Sequence, residues 1–205
     1  MEGVEKVEQT HGNHAHHFDP VVEYQSLKLG MWLFIATELL LFGGLFAAYT
    51  IYRAKYPDMF AEQHLELNKP LGALNTAVLL LSSLTMALGV TSIQRGKPKR
   101  LAFFLLLTIV LGLAFGVNKY IEYSAKFHHH IYPGTSIFFS LYFMMTGLHM
   151  LHVFAGISIL TTMLVLTLRG KFSDKYYTPV EVSGLYWHLV DLIWIYLFPL
   201  LYLIA

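Results

Sequence analysis

The sequence has no cysteine, which excludes disulfides, thiolate metal centres and a cysteine nucleophile together. Charge is scarce as well, at 13% of 205 residues with a formal net charge of +1, so nothing points to nucleic acid. Proline is almost absent from the apolar runs, with only Pro199 inside one of them. The first 26 residues lack the basic start and apolar stretch of a cleavable signal peptide and read as a retained polar tail. That tail carries His11, His14, His16 and His17, for which a solvated segment is a simpler reading than a metal site. What the chain has in excess is apolar surface: 56% hydrophobic residues and a positive mean hydropathy, outside the range of a soluble domain.

The apolar residues fall into five runs, at about residues 27–52, 71–93, 101–123, 136–168 and 181–204. Each is long enough to cross a ~30 Å hydrocarbon core as a helix. Lipid offers backbone groups no hydrogen-bond partner, so the fold class is all-α: a five-transmembrane-helix bundle in one domain, residues 27–205. The fourth run would be roughly 50 Å long as a straight helix, so it must tilt or protrude. Residues 53–70 read as a polar loop and residues 94–100 as a tight basic turn. Lys6, Lys28, Arg95, Lys97, Lys99, Arg100, Arg169, Lys171 and Lys175 gather on one side, against Arg53, Lys55, Lys69, Lys119 and Lys126 on the other. This bias orients the N-terminus to the cytoplasm and the C-terminus to the periplasm. Arg95, Lys97, Lys99, Arg100 and Arg169 are then candidates for contact with anionic lipid headgroups.

Ionisable groups inside the runs are few. Glu38 lies ~14 Å along a helix from Leu29, at mid-depth, where a carboxyl costs ~2.5–3.5 kcal/mol and normally turns toward protein or a wet cavity. Lys119 and Glu122, His149 and His152, and His188 and Asp191 are each spaced i,i+3, on one helix face. Glu38, the His149/His152 pair and Asp191 have similar depth and are expected to form a polar layer. Three readings follow. A metal centre would use the histidines with Glu38 and Asp191, yet helix-bundle di-metal sites use several carboxylates in Glu-x-x-His pairs, absent here. A structural set would have histidines satisfying carboxylates across helices. Proton handling is the third, since imidazole titrates near neutrality. A transporter would call for repeats and broken mid-depth helices, and neither is evident. Small residues at Gly43/Ala47 and Gly112/Gly116 mark close helix approach, with two occupied faces expected on the first helix. His128, His129 and His130 read as a solvated loop.

Several runs together carry a resemblance: GMWLFIATE at residues 30–38, FGGLFAAY at 42–49 and LNTAVLLLSS at 74–83, then Glu122-Tyr123, TGLHMLHV at 146–153 with Gly156, and YWHLVDLIW at 186–194. In this order, each on its own run, they resemble subunit III of the haem–copper oxidases, in the five-helix bacterial form. The resemblance implies a non-catalytic subunit of a proton-translocating respiratory terminal oxidase in the bacterial inner membrane. It would stabilise catalytic subunit I, lie in a complex with subunit II, and support proton uptake during oxygen reduction. It implies no cofactor in this chain, haems and copper in the partner subunits, and bound structural phospholipids. Glu38 matches the family's carbodiimide-reactive carboxyl, and His149, His152, His188 and Asp191 match its recurring polar positions. Longer members carry further helices before these, so a lipid cleft walled by them does not carry over. Thr37-Glu38 and Glu122-Tyr123 look like the branch with cytochrome c as donor; subunit III of a bo-type quinol oxidase or a nitric-oxide-reductase-associated homologue is the alternative, and a membrane metalloenzyme a further one. The spans hold three histidines and the chain no cysteine, too few for a haem–copper or copper-thiolate centre of its own.

Overall fold

The computed structural model describes residues 20–203, so Lys6 and the histidines of the N-terminal tail lie outside the described residues. The chain forms α1 (Pro20–Lys55), α2 (Pro57–Gln63) with a single 3-10 turn after it, α3 (Lys69–Gln94), α4 (Pro98–His128), α5 (Ile137–Leu168) and α6 (Thr178–Phe198). A π turn, Pro199–Leu203, continues α6. No strand occurs among the described residues. Five of these helices are long and apolar enough to cross a membrane.

Helix ends follow local chemistry. Asn68 caps α3, its Oδ1 accepting from the Leu71 N–H at 3.0 Å, and Ser136 caps α5, its Oγ accepting from the Phe139 N–H at 3.2 Å. Proline stands in the first turn of α2, α3, α4 and α6, where its missing N–H costs nothing. Gly96 and Gly170, with φ of 68° and 70°, turn the chain after α3 and α5.

Two boundaries differ from the apolar runs. Helix α1 starts at Pro20, ahead of the run beginning near residue 27, and α4 continues to His128, past residue 123. Hydropathy marks where a helix meets lipid, whereas a helix carries on wherever its polar residues find partners. Lys28 in α1 pairs with Glu181 at 3.1 Å, and Lys126 in α4 is buried. The stretch read as a polar loop, residues 53–70, holds α2, nucleated at Pro57 and anchored by Phe60. That ring is buried edge-on against Tyr49 and Phe138, with centroids 5.2 and 5.3 Å away.

Helices α3, α4, α5 and α6 form a closed ring in which each packs on the next and α6 returns to α3. Helix α1 lies outside that ring, against α5 and α6. Trp187 fills the ring's interior: it is fully buried and donates its indole N–H to Ser82 Oγ at 2.8 Å. Gly112 on α4 and Gly156 on α5 make the room, since a Cβ at either would come within 2.8 Å of the indole. The α3–α4 seam adds polar links, Thr85 to Thr108 at 2.8 Å and Asn118 Nδ2 donating to Asn75 Oδ1 at 2.9 Å. Gly43 is different. Beyond its own helix backbone, no atom of a described residue lies within 4 Å of the place its Cβ would take, so among the described residues that face of α1 stays open.

Candidate functional site

The ring and α1 bring one acid–base pair together at mid-depth. Glu38 on α1 meets His152 on α5, Oε2 to Nε2, at 3.0 Å. The approach is short but not aligned as a hydrogen bond, so the contact is an acid–base juxtaposition across the α1–α5 seam. His152 Nδ1 lies 2.9 Å from the Leu148 carbonyl oxygen, which commits that nitrogen as the donor. Helix α6 braces the pair: Tyr186 Oη donates to the His152 carbonyl oxygen at 3.1 Å, and Phe42 sits edge-on to the imidazole. The two side chains keep 13% and 16% of their surface exposed, so the pair is reachable.

The other expected members of a polar layer do not join it. His149, one turn from His152, points into the ring between Phe115 and Trp194, fully buried, and neither ring nitrogen has a hydrogen-bond partner among the described residues. His188 Nδ1 bonds Ser83 Oγ at 2.7 Å across the α3–α6 seam. Asp191 is buried on the same helix, and neither of its oxygens is hydrogen-bonded among the described residues. The layer foreseen from depth alone therefore resolves into separate places, because equal depth on different helices does not fix a common direction. No three His, Asp or Glu side chains among the described residues gather as a metal site would need.

A second polar cluster lies toward the end where α3 begins and α4 ends. Glu122 Oε2 accepts from Lys119 Nζ at 2.8 Å, while Oε1 accepts from Tyr142 Oη at 2.9 Å and Tyr202 Oη at 2.6 Å. All four side chains are buried, and Lys119 also touches both tyrosine oxygens at 3.1 Å. Lys126, expected in a loop, lies inside α4, and it and Lys119, both counted with the outer-side cations, are buried, with 5% and 1% of their surface exposed. Lys119, Glu122 and Lys126 share one helical stripe with Phe115 and Gly112, and that continuity with a packing face was the available signal. No local pattern signals that Tyr142 and Tyr202, distant in the chain, close over it. Arg95, Lys97, Lys99, Arg100 and Arg169 are exposed, at the end shared by the α3–α4 turn and the end of α5. His128, His129 and His130 are exposed at the opposite end.

Residues 4–205 match the family model for cytochrome c oxidase subunit III. The chain is 33% identical over 182 residues to a probable cytochrome c oxidase subunit 3 of Nocardia farcinica, covering 87% of this chain and 88% of that one. It is 33% identical to cytochrome c oxidase subunit 3 of Synechocystis, covering 96% of this chain and 80% of that one. To quinol oxidase subunit 3 of Bacillus subtilis it is 30% identical, covering 95% and 97%. The chain belongs to the cytochrome c oxidase subunit III family. As a subunit III it is a multi-pass component of a multi-subunit haem–copper oxidase, which ties it to respiratory electron transport. Relatives named for cytochrome c and for quinol match at similar identity, so family membership by itself does not choose the donor.

Proposed function

We propose that this subunit III sits beside catalytic subunit I of a respiratory oxidase in a bacterial inner membrane, in company with subunit II. There it steadies the catalytic subunit and helps sustain proton uptake, with cytochrome c as electron donor. The haems and copper then belong to the partners, and the chemistry of oxygen with them. The observation that carries this reading is the Glu38–His152 pair, an acid and a base from two helices 3.0 Å apart and each still partly exposed. A lone acid–base pair between two helices, with no third ligand beside it among the described residues, suits support of a neighbouring chain better than chemistry of its own.

The exposed residues Arg95, Lys97, Lys99, Arg100 and Arg169 favour the cytoplasmic side for their end of the bundle and contact there with anionic lipid. With Lys119 and Lys126 buried, the unburied cations counted at the other end reduce to Arg53 and Lys55 at the end of α1 and Lys69 at the start of α3, which strengthens the bias. The N-terminus is then cytoplasmic and the C-terminus periplasmic. Structural phospholipids would bind along the exposed apolar flanks.

The test is deletion of this chain from its oxidase. Initial activity should persist while activity decays faster during sustained turnover, and Glu38→Gln should assemble yet move part-way toward that decay. If the depleted oxidase assembles and keeps turning over like the intact one, the reading fails. The Bacillus relative favours quinol as the second reading for the donor. Assaying the purified oxidase with reduced cytochrome c and with a quinol, separately, decides between them.

A further inference from the structure

At the end of the bundle away from the basic turn, a cavity of about 250 Å³ opens between the start of α3 and the last turns of α4. Its polar lining is Glu66, Asn68, Glu122, Lys126 and His129. Two of these are more than nine-tenths buried, Glu122 and Lys126, and they differ in how they are satisfied. Glu122 accepts from three donors and has Lys119 as its counter-charge. Lys126 has one hydrogen bond, donated to the Glu66 carbonyl oxygen at 3.2 Å, and one aromatic face, Tyr142, with its centroid 5.2 Å away. An ammonium carries three donors, so two of its N–H groups have no acceptor among the described residues. The Glu66 and Glu122 carboxylates are its nearest acids and neither is bonded to it. The Lys126 ammonium thus has acids near it that do not bond it, and donor capacity left over toward the cavity.

We propose that this cavity is a binding site for a phosphate-bearing anion, with Lys126 as the charge that holds it. Lys126 offers a point charge suited to phosphate oxygens. Asn68 and Leu71, at the start of the long helix α3, also line the cavity, and the Leu71 N–H is already taken by Asn68 Oδ1, so the dipole adds only its field there. His129 stands at the mouth as a further donor. The space exceeds that of several waters, about 30 Å³ each, and admits a phosphate group with its hydration. Its place at the membrane end suits a phospholipid phosphodiester, and a free phosphate has the same recognising chemistry.

The test uses the delipidated protein, purified with the subunits that accompany it. Phosphatidylglycerol in mixed micelles and inorganic phosphate are titrated in separate arms, with a diacylglycerol control that has chains and no phosphate. Ionic strength is matched with chloride, and thermal unfolding is the readout. The midpoint should rise with a phosphate-bearing probe, and Lys126→Gln should need about tenfold more of it, the size expected of a lost charge-assisted hydrogen bond. Glu66→Gln should need less, because a competing carboxylate is gone. A response to phosphatidylglycerol alone assigns the site to a lipid headgroup, and a response to both probes assigns it to phosphate in general. Should Lys126→Gln not fold, Lys126→Arg, which retains binding, and Glu66→Gln, which tightens it, carry the test. Three outcomes overturn the proposal: wild type answers neither probe, wild type and Lys126→Gln answer alike, or Glu66→Gln destabilises the untreated protein and abolishes the response. The last would make Glu66 itself the counter-ion.

Discussion

The two acid–base pairs in this bundle use the same kinds of group and differ in almost everything else. Lys119 and Glu122 sit on one helix, both buried, and two tyrosines from α5 and the π turn complete the carboxylate's shell. Glu38 and His152 come from two helices, meet at a poor angle, and keep part of their surface open. A fully satisfied pair in a dry site is rigid and expensive to disturb, so it serves the fold. A loosely aligned pair with an open edge costs little to rearrange, so it can serve a partner or a proton.

The sharpest way to break that contrast is Glu122→Ala. It leaves Lys119 buried without its counter-charge, and a loss of about 3–5 kcal/mol is expected from removing one partner of such a pair. Thermal unfolding of the purified protein, or its yield in the membrane, reads this directly. An unfolding midpoint equal to wild type would show that Lys119 reaches water or a new partner. Tyr202→Phe removes one of three donors to Glu122 and should cost less, about 1–2 kcal/mol. Because Tyr202 is held in the π turn after α6, the same variant should loosen the C-terminal end, visible as faster amide exchange there.

At the other pair the expected effect is smaller. A double-mutant cycle of Glu38→Gln and His152→Gln should give a coupling near the ~0.6 kcal/mol typical of side-chain bonds between membrane helices. Glu38→Gln alone should fold normally, since it keeps hydrogen-bonding capacity. A coupling of several kcal/mol would make the mid-depth pair as structural as the other and erase the contrast.

These differences also explain what could be read in advance. Five apolar runs delimit the five spans, because residues facing lipid must be apolar whatever they pack on. Glu38 stands out for the same reason, as a costly group in the middle of such a run. Its partner was narrowed to a few histidines, and helix direction, which only packing sets, chose His152. The Lys119–Glu122 cluster was half visible. Its i,i+3 spacing is plain in the sequence, near the outer end of the third run. What buries it is Tyr142 and Tyr202, contacts across 20 and 80 residues of sequence that no local pattern encodes. Helix α2 was hidden similarly: a polar segment whose single ring, Phe60, finds a pocket made by α1 and α5.

His149 has no fixed sign of effect and gives the clearest contrast with the cluster. Its depth and its spacing from His152 suggest a networked residue, whose replacement by leucine would strand a buried partner at about 1–3 kcal/mol. The structure removes that partner: both ring nitrogens face apolar surroundings, with Phe115 and Trp194 as neighbours. A desolvated imidazole without hydrogen bonds is itself a cost to the fold, and leucine of similar volume removes it. His149→Leu should therefore leave the unfolding midpoint within the ~1.5 kcal/mol of a volume-conserving exchange, in either direction. Glu122→Ala in parallel calibrates the scale. A loss at His149 approaching that of Glu122→Ala would mean that the imidazole is bonded in the native membrane, through an ordered water or a neighbouring subunit, and that the bundle's centre is as saturated as its end.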